Sequence, residues 1–372
     1  MWSNLPFDLL ANIFSFLSPD SLARARSTCR HWHVCAATYP FNSLSPQRHP
    51  PWFLALPTRS HGLFSYLHNP ITNSWHQLSL DFLPQPTRPV SLLGSLVLLR
   101  STNSTVPHLI ICNPFTRQHK YLPLLNISRT NPAIGVVILD EQIPRFRIYV
   151  AGGMSSAAAG GGAKYEATME MYDSEQNKWV RVDPMPMEFA VRLTVWTPNE
   201  SVYCNGVLYW MTSARAFSVM GVEIESNSWR ELGVPMAEKL EFAALTRRRK
   251  RLTVVGGTWR DRCCVWELDE GEKWVMIGTV PVELGMRFLE GKKSWSSSKC
   301  ARGEGRICLY REVGCGMVVW REEEEEEEED GEKRKWEWCW VEGCEVVKGQ
   351  RVLNFGIKGV MINPNLSQSS IF

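Results

Sequence analysis

"YDSEQNKWVRV" (residues 172–182) holds the pattern that decides the fold. A strand-like residue, Tyr172, is followed by a polar stretch, an Asn at 177, a Trp at 179 and an aliphatic Val at 182. Asn tolerates positive φ, so its place two residues before the ring predicts a tight hairpin turn between two strands. The same layout returns in "NPITNSWHQL" (69–78), "NPFTRQHKYL" (113–122), "VEIESNSWREL" (222–232), "LDEGEKWVMI" (268–277) and "EKRKWEWCWV" (332–341). The ring anchors are Trp75, His119, Trp179, Trp229, Trp274 and Trp338. Three residues after each stands an aliphatic: Leu78, Leu122, Val182, Leu232, Ile277 and Val341. Asn73 and Asn227 repeat the turn residue of Asn177.

Working outward, successive anchors lie 44, 60, 50, 45 and 64 residues apart. The two long intervals each contain an insertion, the Gly/Ala segment "SSAAAGGGA" (155–163) and the charge run "REEEEEEEEDGEKRK" (321–335). Without them the period is about 45–50 residues, the length of a four-stranded propeller blade. Between anchors the apolar runs "SLLGSLVLLR", "HLIICNP", "FRIYVAGG", "SVYCNGVLYWM", "RLTVVGG" and "CVWEL" read as strands, with no helical periodicity. Six anchors predict six blades, with a seventh, degenerate blade as the alternative. The closing strand is expected from "RVLNFGIKGVMI" (351–362) pairing into the first blade, which removes open sheet edges. The recurrence of the Trp rings at the structural period marks them as inter-blade packing rather than ligand-stacking residues.

The first forty residues differ. "LPFDLLANIFSFLSPDSLARARSTCRHWH" (5–33) reads as three short helices. Pro6 and Asp8 suit a first helical turn, and Leu9, Leu10, Ile13, Phe14 and Leu17 form a wide apolar face. Ser18 is placed as the N-cap of the second helix with Pro19 at its first position. The third helix is expected to carry Cys29, Trp32 and Ala36 on one side. So short a module buries too little surface to stand alone and has more apolar surface than it can cover, which points to a partner.

Leu5-Pro6, Leu9-Leu10, Ile13, Phe14, Leu17, Leu22, Arg24, Cys29-Arg30 and Trp32 resemble the F-box pattern. The resemblance implies that Leu5, Pro6, Leu9, Leu10, Ile13, Phe14, Leu17, Leu22, Cys29 and Trp32 dock on a Skp-type adaptor, and through it on a cullin. It leaves His31, His33 and Cys35 as incidental neighbours of Trp32. The glycine pairs Gly152-Gly153 and Gly256-Gly257, with Gly206 standing alone in a third unit, resemble kelch repeats. Together these features are similar to plant F-box/kelch-repeat proteins. The implied organisation is mainly β: an F-box over 1–45, a Pro-rich connection over 46–58 and a kelch-type propeller of six blades over 59–372. The implied function is substrate recognition in an SCF-type ubiquitin ligase, with the propeller binding a target protein. The alternative is a non-degradative F-box/propeller scaffold or transcriptional cofactor.

Other classes find less support. The chain has 372 residues and a formal charge of +2, without the basic stripe of a nucleic-acid binder. Eleven Cys without a CxxC pair fit a reducing compartment, and no leader or run of about 18 apolar residues is present, so a nuclear or cytoplasmic protein with no membrane span is expected. The sequons at Asn103 and Asn126 then carry no meaning. The Cys and His residues of "STCRHWHVC" (27–35) point to different sides of one short helix and cannot close a tetrahedral metal site. "GMRFLEGKKS" (285–294) has the wrong spacing for a P-loop, no GxSxG or HExxH occurs, and the last histidine is His119. Kelch propellers include a copper oxidase, but its ligand set has no counterpart here. No catalytic residue, metal or cofactor is expected. The acidic run Glu322–Asp330 reads as a solvated hairpin tip, with attraction of a basic target or pairing with "RRRKR" (247–251) as other uses. That basic cluster is itself expected at a hairpin tip, with nuclear import as a second reading. Arg215, Arg260 and Arg262 are candidate target contacts.

Overall fold

The computed structural model of the chain describes residues 5–38, 50–58, 64–104, 106–140, 145–156, 162–195, 201–213, 216–259, 262–291, 294–303, 305–323, 335–347, 349–352 and 355–366. Three helices, α1 (Phe7–Ser15), α2 (Pro19–Arg26) and α3 (Arg30–Thr38), precede six four-stranded antiparallel sheets. Blades 2 to 6 are simple meanders that run outward from the axis. Their inner strands are Thr87–Leu93, Ala133–Asp140, Ser201–Cys204, Leu240–Arg248 and Lys299–Gly303. Blade 1 takes its inner strand, Ile357–Ile362, from the far end of the chain. That strand pairs with Trp52–Pro57, with Trp52 opposite Ile362 and Pro57 opposite Ile357. Neighbouring inner strands touch all the way round, including Ile357–Ile362 with both Lys299–Gly303 and Thr87–Leu93, so the six blades form a closed ring. The expected closure by 351–362 is present, made by its second half.

Six apolar clusters fill this ring, one between each pair of adjacent blades. Between blades 2 and 3, for instance, Leu93, Leu98 and Ile111 meet Phe146, Ile148 and Tyr172. Between blades 6 and 1, Tyr310 and Met317 meet Phe53 and Ile357. Each sheet is buried on both faces, so its strands read as continuous apolar runs rather than alternations. Around the axis, long cations span inner strands: Lys358 Nζ donates to the Val90 carbonyl at 2.7 Å, Lys299 Nζ to that of Ile357 at 2.6 Å, and Arg302 Nη2 to that of Ser201 at 2.8 Å.

The repeated motif forms the outer hairpin of the blades. Asn73, Asn177 and Asn227 have φ of 48°, 50° and 51°, as their spacing predicts. Arg117 and Glu272 hold the same position in blades 2 and 5 at 62° and 57°, although neither residue type announces it. A further element lies at the start of the turn. Asn69 Oδ1 accepts the Ile71 N–H at 2.9 Å, Asn113 Oδ1 that of Phe115 at 2.9 Å and Asp173 Oδ1 that of Glu175 at 2.9 Å. Each is an Asx turn that supplies an acceptor where the ladder ends.

The Trp anchors clasp blade to blade. Trp179 Nε1 donates to the Pro123 carbonyl at 2.8 Å, Trp274 Nε1 to Gly233 at 2.7 Å and Trp75 Nε1 to Glu342 at 3.0 Å. In each case the acceptor lies four residues after the anchor of the preceding blade, so one spacing serves three junctions.

Several sequence expectations need correction. Residues 52–57, assigned to the connection because of Pro50, Pro51 and Pro57, form a strand of blade 1 in which the prolines sit before it and at its last position. The linker prolines Pro40 and Pro46 lie outside the described residues. "SLLGSLVLLR" and "SVYCNGVLYWM" are not single strands. They are hairpins folded at Gly94 (φ 64°) and at Asn205-Gly206 (φ 49° and 83°), so Gly206 is an inner-turn residue and not a kelch glycine. The two glycine pairs also differ. Gly152 and Gly153 have φ of 65° and 95°, and a Cβ on Gly153 would lie 2.8 Å from the Thr130 carbonyl oxygen. Gly256 and Gly257 are ordinary strand residues that leave room for bulk: a Cβ on Gly257 would sit 2.4 Å from Trp295 Cγ.

Candidate functional site

The helical module has its own core. Leu10, Phe14 and Leu22, at 1%, 1% and 5% exposure, pack with Ala11, Ala25, Cys35 and Ala36. Leu5, Leu17 and Trp32 are partly buried against this cluster, and the Trp32 ring meets Phe14 edge-on at 5.3 Å. Pro6 is exposed at the N-cap of α1, and Asp8 sits in its first turn. Ser18 caps α2 by position only, since its hydroxyl donates to the Ser21 hydroxyl at 3.0 Å rather than to the backbone. Cys29 precedes α3 and is exposed, whereas Cys35 is wholly buried, where burial pushes its thiol pKa up. Cys35 is therefore a core residue and not an incidental neighbour. His31 Nε2 lies 3.0 Å from the Leu5 carbonyl oxygen and its ring lies 4.5 Å from that of Phe7. Among the described residues no three His, Cys, Asp or Glu side chains gather to hold a metal.

What remains outside is an apolar stripe. Leu9 is 50% exposed, Ile13 45% and Phe16 60%. Spacings of four and three place them along one side of α1 and its C-cap. The ten sequence-predicted residues thus divide by burial: Leu10, Phe14 and Leu22 build the module, while Leu9 and Ile13 are open to a partner. Phe16 was not among the ten, although its spacing of seven from Leu9 marks it as part of the same stripe.

The propeller has two unlike faces. Turns between first and second strands, and between third and fourth, lie on one face. The module meets the ring there, because the chain enters blade 1 at Trp52 and leaves it at Ile362 on that side. Among the described residues, the opposite face carries four additions to the basic meander. These are the hairpin Met154–Ser156 with Ala163–Tyr165, helix α4 (Met187–Val195), helix α5 (Val282–Leu289) and the hairpin Val346–Val347 with Gln350–Arg351. Its exposed apolar side chains include Met187, Met236, Trp259, Val282 and Met286.

Beneath blade 3 that face is anchored by a buried ion pair. Arg129 Nη2 donates to Glu170 Oε1 at 2.7 Å with both side chains fully enclosed. Arg129 also donates to the carbonyls of Gly152 (3.1 Å) and Thr168 (2.8 Å), while Glu170 accepts the backbone N–H groups of Asn126 and Ile127 at 2.7 and 3.1 Å. Every charge in this pair has partners, the condition under which a buried pair is tolerated. Desolvation lowers the Arg129 pKa, and Glu170 and Glu166 oppose that shift.

Arg262 is exposed at the start of its strand on the elaborated face, while Arg215 and Arg260 lie outside the described residues. The acidic run links two paired strands, Met317–Glu323 and Lys335–Val341, so the hairpin is present, and its tip lies outside the described residues. The centre of the Gly/Ala insertion does too, but its two ends pair as the small hairpin above. "RRRKR" is a hairpin tip as expected, and two of its arginines pair with carboxylates of the same blade: Arg248 with Glu267 at 2.8 Å and Arg251 with Glu270 at 3.4 Å.

Comparison with known proteins agrees with this geometry. An F-box-like family model matches residues 2–39, the helical module, and a Kelch motif model matches residues 147–186, the three outer strands of blade 3 with the positive-φ glycine pair. The chain is similar to Protein UNUSUAL FLORAL ORGANS of Arabidopsis thaliana, at 25% identity over 79% of this chain and 71% of that protein. It is similar to an F-box/kelch-repeat protein of the same plant at 28% identity, over 76% of this chain and 70% of the relative. A shorter match at 30% identity, over 37% of this chain and 41% of the relative, is to the Arabidopsis SKP1-interacting partner 15.

Proposed function

The chain is an F-box and kelch-motif protein related to plant F-box/kelch-repeat proteins, and from that premise we propose that it is the substrate-recognition subunit of an SCF-type cullin ubiquitin ligase. The observation that carries the reading is the stripe of Leu9, Ile13 and Phe16, an exposed apolar row on a module whose core is built from other residues. A Skp-type adaptor covers that stripe and links the chain to a cullin. Similarity to a protein named as a SKP1-interacting partner supports the assignment.

The chain acts without catalytic residues, metal or cofactor. Its contribution is proximity: a target protein held on the propeller keeps its lysines near the conjugating enzyme that the cullin scaffold supplies. The target sits on the face away from the module, where α4, α5 and the two small hairpins modify the meander and Trp259 stands exposed. Large exposed aromatic side chains are the residues that most often anchor protein partners. The complex works in the nucleus or the cytoplasm.

The test is turnover of a propeller-bound protein in cells. A bound protein that accumulates when cullin activity is blocked, and whose accumulation is copied by removing residues 1–38, supports a ligase receptor. A bound protein whose level is indifferent to both treatments assigns the chain instead to the scaffold or transcriptional-cofactor class.

A further inference from the structure

The segment that follows the closing strand touches both the propeller and the helical module. After Ile362 the chain runs along the face that carries the module. Asn365 is held on blade 2 in two ways: its carbonyl accepts Asn113 Nδ2 at 3.0 Å, and its own Nδ2 donates to Ser95 Oγ at 3.2 Å. One residue later the Leu366 carbonyl accepts Arg26 Nη1, from the last turn of α2, at 2.9 Å. The Leu366 side chain packs against the cluster of Leu10, Phe14, Leu22 and Cys35.

We propose that Asn363–Leu366 is a clasp that fixes the orientation of the F-box on the propeller. The strand Ile357–Ile362 closes the ring, and the four residues after it convert that closure into a second attachment for the module. Four contacts of different kinds, three hydrogen bonds and one apolar side chain, fall within two residues, a density expected of a built junction rather than of a chain end lying on a surface. A module tied at two points cannot rotate freely about its covalent linker. The clasp is also compatible with adaptor binding, because Leu9, Ile13 and Phe16 stay exposed while Leu366 is in place. Its purpose rests on the receptor reading, in which a fixed distance between target and conjugating enzyme sets the transfer rate. Its existence does not.

The experiment measures the distance distribution between spin labels carried on unnatural amino acids at Arg24 in α2 and Lys178 in blade 3, both exposed, in the full chain without adaptor. The wild type is expected to give one narrow distance. Truncation after Asn363, which keeps the closing strand, and the milder pair Asn365→Ala, Arg26→Ala are both expected to widen the distribution severalfold, while propeller unfolding stays at its wild-type temperature. A narrow distance that survives both changes overturns the proposal, as does a broad distribution in the wild type. Should the chain fail to bind adaptor or cullin while the labels still report a clasp, the receptor reading fails and the clasp stands.

Discussion

The indole clasp between blades makes a quantitative prediction, because two anchors with equivalent places in the repeat differ in one atom's partner. Trp179 is 7% exposed and its Nε1–H donates to the Pro123 carbonyl at 2.8 Å. Trp229 lies one blade on, stacked parallel to Trp210 with ring centroids 6.2 Å apart, and its buried Nε1–H has no hydrogen-bond partner. Trp→Phe at either position trades an indole for a smaller ring, and the packing lost is no smaller at Trp179, the more buried of the two. At 179 it also deletes a hydrogen bond with a net worth of about 1 kcal/mol, whereas at 229 it removes an unsatisfied donor whose burial costs about 1 kcal/mol or more. Trp179→Phe is therefore expected to be the more destabilising by about 2 kcal/mol. With an unfolding entropy of about 2 cal/mol/K per residue, a chain of this length moves about 1.3 °C in Tm per kcal/mol, so the two variants should differ by roughly 2–3 °C. Scanning calorimetry of both variants beside wild type reads this directly. If Trp229→Phe melts at or below Trp179→Phe, the clasp is not what distinguishes the anchors and the reasoning is wrong.

Other expectations follow from the same geometry. Gly153→Ala meets both a positive φ of 95° and the Thr130 carbonyl, and should cost more than Gly206→Ala, where φ is 83° but nothing lies within 4 Å; urea midpoints of the two variants check the order. Removing the fully buried carboxylate with Glu170→Ala should destabilise by about 3–5 kcal/mol, read from urea unfolding, because Arg129 is left charged and enclosed and the Asn126 and Ile127 N–H groups lose their acceptor. Burial lowers the pKa of His68, with Arg306 and His76 pushing the same way and the Asn73 side chain opposing them. Its imidazole is expected to stay neutral below the ordinary range in an NMR titration. Since its folded pKa lies below its unfolded one, its contribution is complete above the unfolded value, about 6.5, and declines as pH falls from there toward the folded value.

Much of this fold was legible because its repeat is written in residues with strong local meaning. A ring anchor, an Asn at positive φ and an aliphatic three residues on recur at blade length, and they specify hairpin, inter-blade contact and period together. The closing strand was legible for a different reason: an unpaired strand at each end of a propeller demands a partner. What stayed hidden is equally physical. Arg117 and Glu272 adopt the turn conformation under pressure from the hairpins around them, without a residue-type preference to reveal it. Gly256-Gly257 looks like Gly152-Gly153, but the need for glycine there comes from Trp295, 38 residues away in sequence from Gly257. Pro50 and Pro51 suggested a linker, yet a proline before a strand costs no ladder hydrogen bond.

The candidate surface was half legible. Five apolar residues in α1 and its flank announced an amphipathic face wider than the module could cover. Periodicity does not say which part of a wide stripe faces inward, so Leu10 and Phe14 could not be separated from Leu9 and Ile13 until α2 and α3 were in place. Phe16 stands at the C-cap, just past the last helical residue, where the helical period no longer assigns a face. Leu366 gave no signal at all, since its contact depends on where the closing strand ends.

In the proposed receptor, Leu9, Ile13 and Phe16 bind the adaptor as one row, on a module whose core is built from other residues. The most direct measurement is calorimetric titration of a purified Skp-type adaptor into the wild-type chain and into a Leu9→Asp, Ile13→Asp variant, with circular dichroism on both. Wild type should bind tightly, and the variant should lose measurable binding with its spectrum unchanged, because a charge buried unpaired in that contact costs several kcal/mol. Equal binding by the two proteins, or no binding by a folded wild type, would contradict it.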